Sequence, residues 1–157
     1  MNYGIIDFKS HGDERGSLIA LEKLHNVPFE IKRVYYIFNT TPGVVRGKHA
    51  HRELEQVLIC TSGSCKILLG DGTENVEVLL DKPEKGLFVG KNIWREMYDF
   101  SDGCVLMVLA NEYYNPDEYI RDYEEFLKEV NINAHGEIII LQKYSKEEIK
   151  IVQKKIG

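Results

Sequence analysis

The segment Arg46-Gly47-Lys48-His49-Ala50-His51-Arg52-Glu53-Leu54-Glu55-Gln56 gathers the side chains best suited to chemistry near neutral pH. In an extended chain His49 and His51 project to one face, because side chains alternate with period two. Two neighbouring imidazoles suit either metal ligation or proton transfer. Glu55 follows His51 by four residues, and Gly43 precedes His49 by six. Taken alone, such a pair could be structural. Flanked by arginine, glycine and glutamate, it is better read as a site.

The elements that must position this pair are short. Candidate strands are Gly4–Phe8, Ser17–Glu22, Arg33–Phe38, Glu55–Cys60, Cys65–Leu69, Val76–Leu80, Leu87–Val89, Ile93–Tyr98 and Cys104–Ala110. Turn chemistry separates them at Asp13–Gly16, Thr41–Gly43, Ser62-Gly63, Gly70–Gly72 and Ser101–Gly103. Many short strands without an intervening crossover helix predict an antiparallel sandwich or barrel. A helix is expected after Asn115-Pro116, with Asn115 as cap and Asp117 and Glu118 in its first turn. Its apolar stripe, Ile120, Tyr123, Phe126, Leu127 and Val130, should pack on the barrel. Residues 131–157 read as an extension: a loop, a strand at Glu137–Gln142, and a Lys-rich amphipathic helix over Ser145–Ile156 that opens on a capping box. The expected organisation is a domain over 1–130 and this tail.

Composition narrows the partners. With 20 basic and 25 acidic residues the net charge is −5, so a global basic footprint for nucleic acid is absent. The apolar runs are too short to span a bilayer, and the N-terminus has no readable secretory signal. A cytoplasmic protein is expected. Cys60, Cys65 and Cys104 form an odd set; Cys60 and Cys65 flank a turn, and small buried thiols are the preferred reading.

Gly43–Gly63 resembles the first motif of the cupin superfamily, G-x5-H-x-H-x3-E-x6-G, with its last spacing one residue longer. Metal-binding cupins add a further histidine from a second motif, and Arg95 stands at that position here. A cation cannot ligate a divalent ion, so a metal-dependent oxygenase is disfavoured. More narrowly, Asp13–Leu18, Ile31–Ile37, Arg46–His51, Leu54–Gln56, Gly63–Cys65, Gly86–Gly90, Trp94–Met97 and Ala110 through Arg121 resemble the dTDP-sugar 3,4-ketoisomerases.

That resemblance implies an all-β cupin, a double-stranded β-helix or jelly-roll barrel, that uses no metal or other cofactor. It implies a homodimer that exchanges N-terminal strands. It also implies conversion of dTDP-4-keto-6-deoxyglucose into a 3-keto-6-deoxyhexose, through a C3–C4 enediol, for deoxyamino-sugar synthesis. On that reading His49 is the leading base and His51 shuttles a hydroxyl proton or polarises the carbonyl. Tyr35 or Tyr36 supplies a further donor; alternation sends only one inward and leaves open which. Arginine forks suit a diphosphate. Arg46 is the strongest candidate, with Arg33, Arg15 and Arg121 behind it. Arg95 is expected to face the sugar, Gln56 to orient a hydroxyl or a histidine, and Glu55 to fix an imidazole tautomer. The alternatives are a dTDP-sugar 3,5-epimerase, whose expected pattern lacks the second histidine, and a non-enzymatic sugar- or effector-binding cupin.

Overall fold

The computed structural model describes residues 1–131. Twelve strands run in chain order: β1 (Tyr3–Asp7), β2 (His11–Asp13), β3 (Gly16–Leu18), β4 (Arg33–Ile37), β5 (Arg46–His51), β6 (Gln56–Ser62), β7 (Cys65–Gly70), β8 (Asn75–Leu80), β9 (Lys85–Val89), β10 (Trp94–Tyr98), β11 (Val105–Ala110) and β12 (Tyr119–Ile120). Two five-stranded antiparallel sheets, ordered β1-β9-β6-β11-β4 and β12-β5-β10-β7-β8, face each other as the expected jelly roll. The small hairpin β2–β3 stands apart, all six of its residues exposed.

Alternation explains the interior. Leu58 and Cys60 of β6, Ile67 and Leu69 of β7, and Leu106 and Val108 of β11 point inward and form the main core. The opposite face of the first sheet is also dry. Val57, Ile59 and Leu109 lie under Phe8, Val27 and Phe29, with Ile19 and Leu21 packed alongside. Because both of its faces are covered, β6 reads as a continuous apolar run rather than an alternating one. The same cover corrects the expected strand Ser17–Glu22: only its start pairs, as β3, and Ile19 and Leu21 belong to the covering segment.

The expected helix at Asn115 is divided. Asn115 does cap, its Oδ1 accepting from the Asp117 amide at 3.0 Å, but only a single 3-10 turn, Pro116–Glu118, follows. Tyr119 and Ile120 then pair with His51 and Ala50 as β12, because the edge of β5 offers backbone partners that a continuing helix would forgo. Helix α1 covers 123–131 and starts anew where the Asp122 carboxylate accepts from the Glu125 amide at 2.8 Å. Phe126, Leu127 and Val130 still meet the barrel, against Ala50, Trp94 and Ile120. The expected strand Glu137–Gln142 and helix Ser145–Ile156 lie outside the described residues.

Candidate active site

A bulge in β5 builds the site. Against β10 the register is Arg95↔His49, Glu96↔Gly47 and Met97↔Arg46, so Lys48 is the extra residue. Gly47 and Lys48 take φ of +82° and +55°. Glycine is required at the first, since a Cβ there would lie 2.8 Å from the Arg95 carbonyl oxygen. Strict alternation would turn Arg46 away from His49, three residues on. The extra residue restores it, and Arg46 and His49 line one cleft. Lys48 turns to the outer surface beside Trp94 and Glu96.

The two imidazoles are edge-to-face, with centroids 4.8 Å apart, and the Tyr119 ring lies 4.9 Å from His49 and 4.3 Å from His51. His49 Nδ1 is 3.0 Å from the Gly47 carbonyl oxygen. A carbonyl only accepts, so Nδ1 carries the proton and Nε2 is left as the basic atom. Burial, reinforced by the Arg95 charge, lowers the His49 pKa from 6.5 to about 4. Burial, Arg95 and His49 lower that of His51 to about 2. Both rings are neutral at pH 7. Neither nitrogen of His51 has a hydrogen-bond partner among the described residues, and both are buried behind His49.

Beneath them runs a polar chain. Arg95 is fully buried; its Nε and Nη2 donate to the Ile93 carbonyl at 3.3 and 3.0 Å, and its Nη1 donates to Gln56 Oε1 at 2.5 Å. Gln56 Nε2 in turn donates to the Tyr35 hydroxyl oxygen at 3.1 Å, which leaves the hydroxyl proton of Tyr35 to be given elsewhere. Burial raises the Tyr35 pKa, so that proton is retained. Desolvation lowers the Arg95 pKa to about 10, which still leaves the guanidinium charged at neutral pH.

The cleft above encloses about 470 Å³. Arg33, Arg46 and Arg121 line it together with His49, and none of the described lining residues is acidic. Arg33 stacks between Tyr35 (5.5 Å) and Tyr114 (5.7 Å), with its buried Nε unpartnered among the described residues; Arg121 lies 4.3 Å above the Tyr119 ring. Three fixed cations beside two neutral bases suit an anionic substrate that must gain and lose protons.

The structure thus gathers His49, Tyr35, Arg33, Arg46 and Arg121 at the cleft, with His51 behind His49 and Gln56 and Arg95 below. It departs from expectation at Arg95, Glu55 and Arg15, and decides between the two tyrosines. Arg95 does not line the cleft; its guanidinium is held by Ile93 and Gln56, so it acts through its field. Glu55 touches neither imidazole and instead accepts from Asn111 at 3.4 Å, while the Gly47 carbonyl sets the tautomer. Tyr36 sits on the outward side of β4, 63% exposed, at the cleft rim against Phe38; alternation selects Tyr35. Arg15 is on the β2–β3 hairpin, paired to Asp13 at 2.5 Å and outside the cleft. Tyr119 is the residue that sequence reasoning missed. Its placement in a helix hid it, although the aromatic run Tyr113-Tyr114 before it was a signal.

Known proteins are similar to this chain over most of its length. A family model described as "FdtA: WxcM-like, C-terminal" matches residues 1–131. A TDP-4-oxo-6-deoxy-alpha-D-glucose-3,4-oxoisomerase of Aneurinibacillus thermoaerophilus is 50% identical over 139 residues, 87% of this chain and 100% of that one. A 3,4-ketoisomerase from Helicobacter canadensis is 58% identical with a TM-score of 0.82, over 83% of this chain and 98% of that one. QdtA, a sugar 3,4-ketoisomerase from Thermoanaerobacterium thermosaccharolyticum solved with TDP, is 45% identical with a TM-score of 0.82, over 84% and 96% of the two chains. On the strength of the jelly roll, the buried imidazole pair and this likeness along its described length, the chain belongs to the FdtA-like family of cupin sugar-nucleotide 3,4-ketoisomerases.

Proposed function

We propose that the cleft binds dTDP-4-keto-6-deoxyglucose and moves its ketone from C4 to C3. The observation that carries this reading is His49, held neutral with its proton on Nδ1, at the floor of an arginine-lined cleft. The C3 proton is acidified by the adjacent carbonyl, and His49 Nε2 removes it. An enediol forms; the proton returns at C4, O4 is protonated, and O3 loses its proton to become the new carbonyl. His51, buried behind His49 with both nitrogens unpartnered, is read as the second proton carrier. Tyr35 donates towards developing negative charge, and the fixed Arg95 guanidinium stabilises that charge through its field. Arg33, Arg46 and Arg121 hold the diphosphate. The buried guanidinium beside the imidazoles repels a divalent ion, so the reaction is read as independent of metal or other cofactor.

In heavy water the product should carry deuterium at C4, read by NMR. A 3,5-epimerase would exchange at C3 and C5 and keep the ketone at C4, and that outcome would sink the reading.

The working unit is read as a homodimer with exchanged N-terminal strands. β1 pairs with β9 of its own chain, but the β2–β3 hairpin has no cover among the described residues, and Val34 and Tyr36 of edge strand β4, with Phe38 just beyond it, expose an apolar face. In the exchange the hairpin carries Arg15 to the cleft of a second copy. Residues 131–157 take no part in the chemistry; the family match ends at residue 131. No helix among the described residues is long and apolar enough to cross a membrane, and the three cysteines are unbridged. A cytoplasmic enzyme that binds neither membrane nor nucleic acid fits these features.

A further inference from the structure

Cys60, Cys65 and Cys104 lie together at the end of the barrel away from the imidazoles. Cys60 is on the same inward row of β6 as Gln56, four residues or about 13 Å further along the strand. All three are buried, and their sulfurs lie within 4.8 Å of one another. The Cys60 and Cys104 sulfurs are 3.5 Å apart. We propose that these three thiols form a binding site for one trivalent, thiophilic metalloid of the arsenite class.

Geometry, coordination number and charge each favour that ligand. Bonds to sulfur of about 2.3 Å place neighbouring sulfurs about 3.5–4 Å apart around one atom, so the trio needs only a small contraction. No fourth His, Cys, Asp or Glu joins the set among the described residues. Structural zinc requires four ligands, whereas a pyramidal trivalent centre is complete with three. The surroundings are apolar, with Leu80 and Leu106 in the same cluster, and Asp81 adds a negative potential rather than a compensating cation. Three thiolates around a trivalent centre are neutral. Around zinc they would leave one buried negative charge, and around monovalent copper two, both costly in such a place.

The chemistry balances without a redox partner. Arsenous acid exchanges three As–O bonds for three As–S bonds, and each thiol proton leaves with a hydroxide as water. Arsenic stays trivalent. Access is through two apposed turns at Gly63 and Gly103. They are latched by Ser64 N–H to Ser101 Oγ and Ser101 N–H to Ser64 O, each 2.8 Å, and local opening of such turns admits a small uncharged acid.

Native mass spectrometry of the reduced full-length protein with sodium arsenite tests the site. The expected adduct is one arsenic with loss of three hydrogens. Arsenic-edge absorption should show three sulfurs, and the melting temperature should rise with ligand concentration. Cys60→Ala, Cys65→Ala and Cys104→Ala, each checked for folding by circular dichroism, should each weaken binding on the order of a hundredfold. Three single variants keep the test open should one fail to fold. No adduct on the folded protein, undiminished binding by any folded variant, or tighter binding of one zinc ion than of arsenite would each overturn the proposal.

Discussion

His49 keeps its proton on Nδ1 because the Gly47 carbonyl can only accept, and it stays neutral because burial and the Arg95 charge disfavour the imidazolium. The base form is therefore present above about pH 4. kcat/KM should stay level from pH 7 to about 5 and fall only as pH approaches 4; a break near 6.5 would show that His49 is not the base. Stability follows the same group. Below pH 6.5 the unfolded chain takes up a proton that the folded one refuses until about 4, so stability falls as pH drops through that window. Replacing His49 with Asn should reduce this slope, leaving the share of His51, and lower turnover on the order of a hundredfold. It should weaken dTDP binding far less, since the proposed diphosphate contacts belong to arginines.

At the scale of elements, the bulge in β5 does what no single residue can. It reverses the alternation between Arg46 and His49 so that the proposed anion clamp and the proposed base share one cleft. Gly47→Ala tests this directly. The new methyl would meet the Arg95 carbonyl, at a φ where an L-residue is disfavoured by about 1–2 kcal/mol. The barrel should survive that cost, with its far-ultraviolet dichroism unchanged. Turnover should fall at least about tenfold, the rate equivalent of about 1.4 kcal/mol, as Arg46 and His49 lose their common aim. A Gly47→Ala enzyme of normal activity would show that the bulge is not what aligns them. The other element that shapes the site is β12, which trades helical turns for pairing with His51 and so brings Tyr119 against both imidazoles.

At the scale of the whole molecule, the proposed homodimer rests on a hairpin uncovered among the described residues and on the apolar face of β4. If Arg15 serves the partner's cleft, Arg15→Ala and His49→Asn chains, each poorly active alone, should regain activity when refolded together. A mixed dimer then holds one cleft with both groups intact. Activity no greater than the sum of the two parents, or a monomeric mass by sedimentation, would contradict the exchange. A chain cut after residue 131 should keep its turnover; a folded truncated protein that binds dTDP but is inactive would show that the tail belongs to the site.

The sequence by itself determined most of the strands, the buried thiols, the His49–His51 pair and the family resemblance. These rest on local periodicity and on the spacing of a few residues along one strand. What it left open were quantities set between strands. Tyr35 was separated from Tyr36 only by which face of β4 meets Gln56 and Arg95. Arg95 was legible as a cation in a ligand's position, but its burial beneath the cleft depends on the Ile93 carbonyl and on Gln56 from a different strand. Arg46 joined the site through a bulge defined by register against β10, and Tyr119 through an edge pairing that outcompeted a locally plausible helix. Alternation and propensity act within a segment, whereas register and edge pairing are settled only when backbone groups of distant segments satisfy one another.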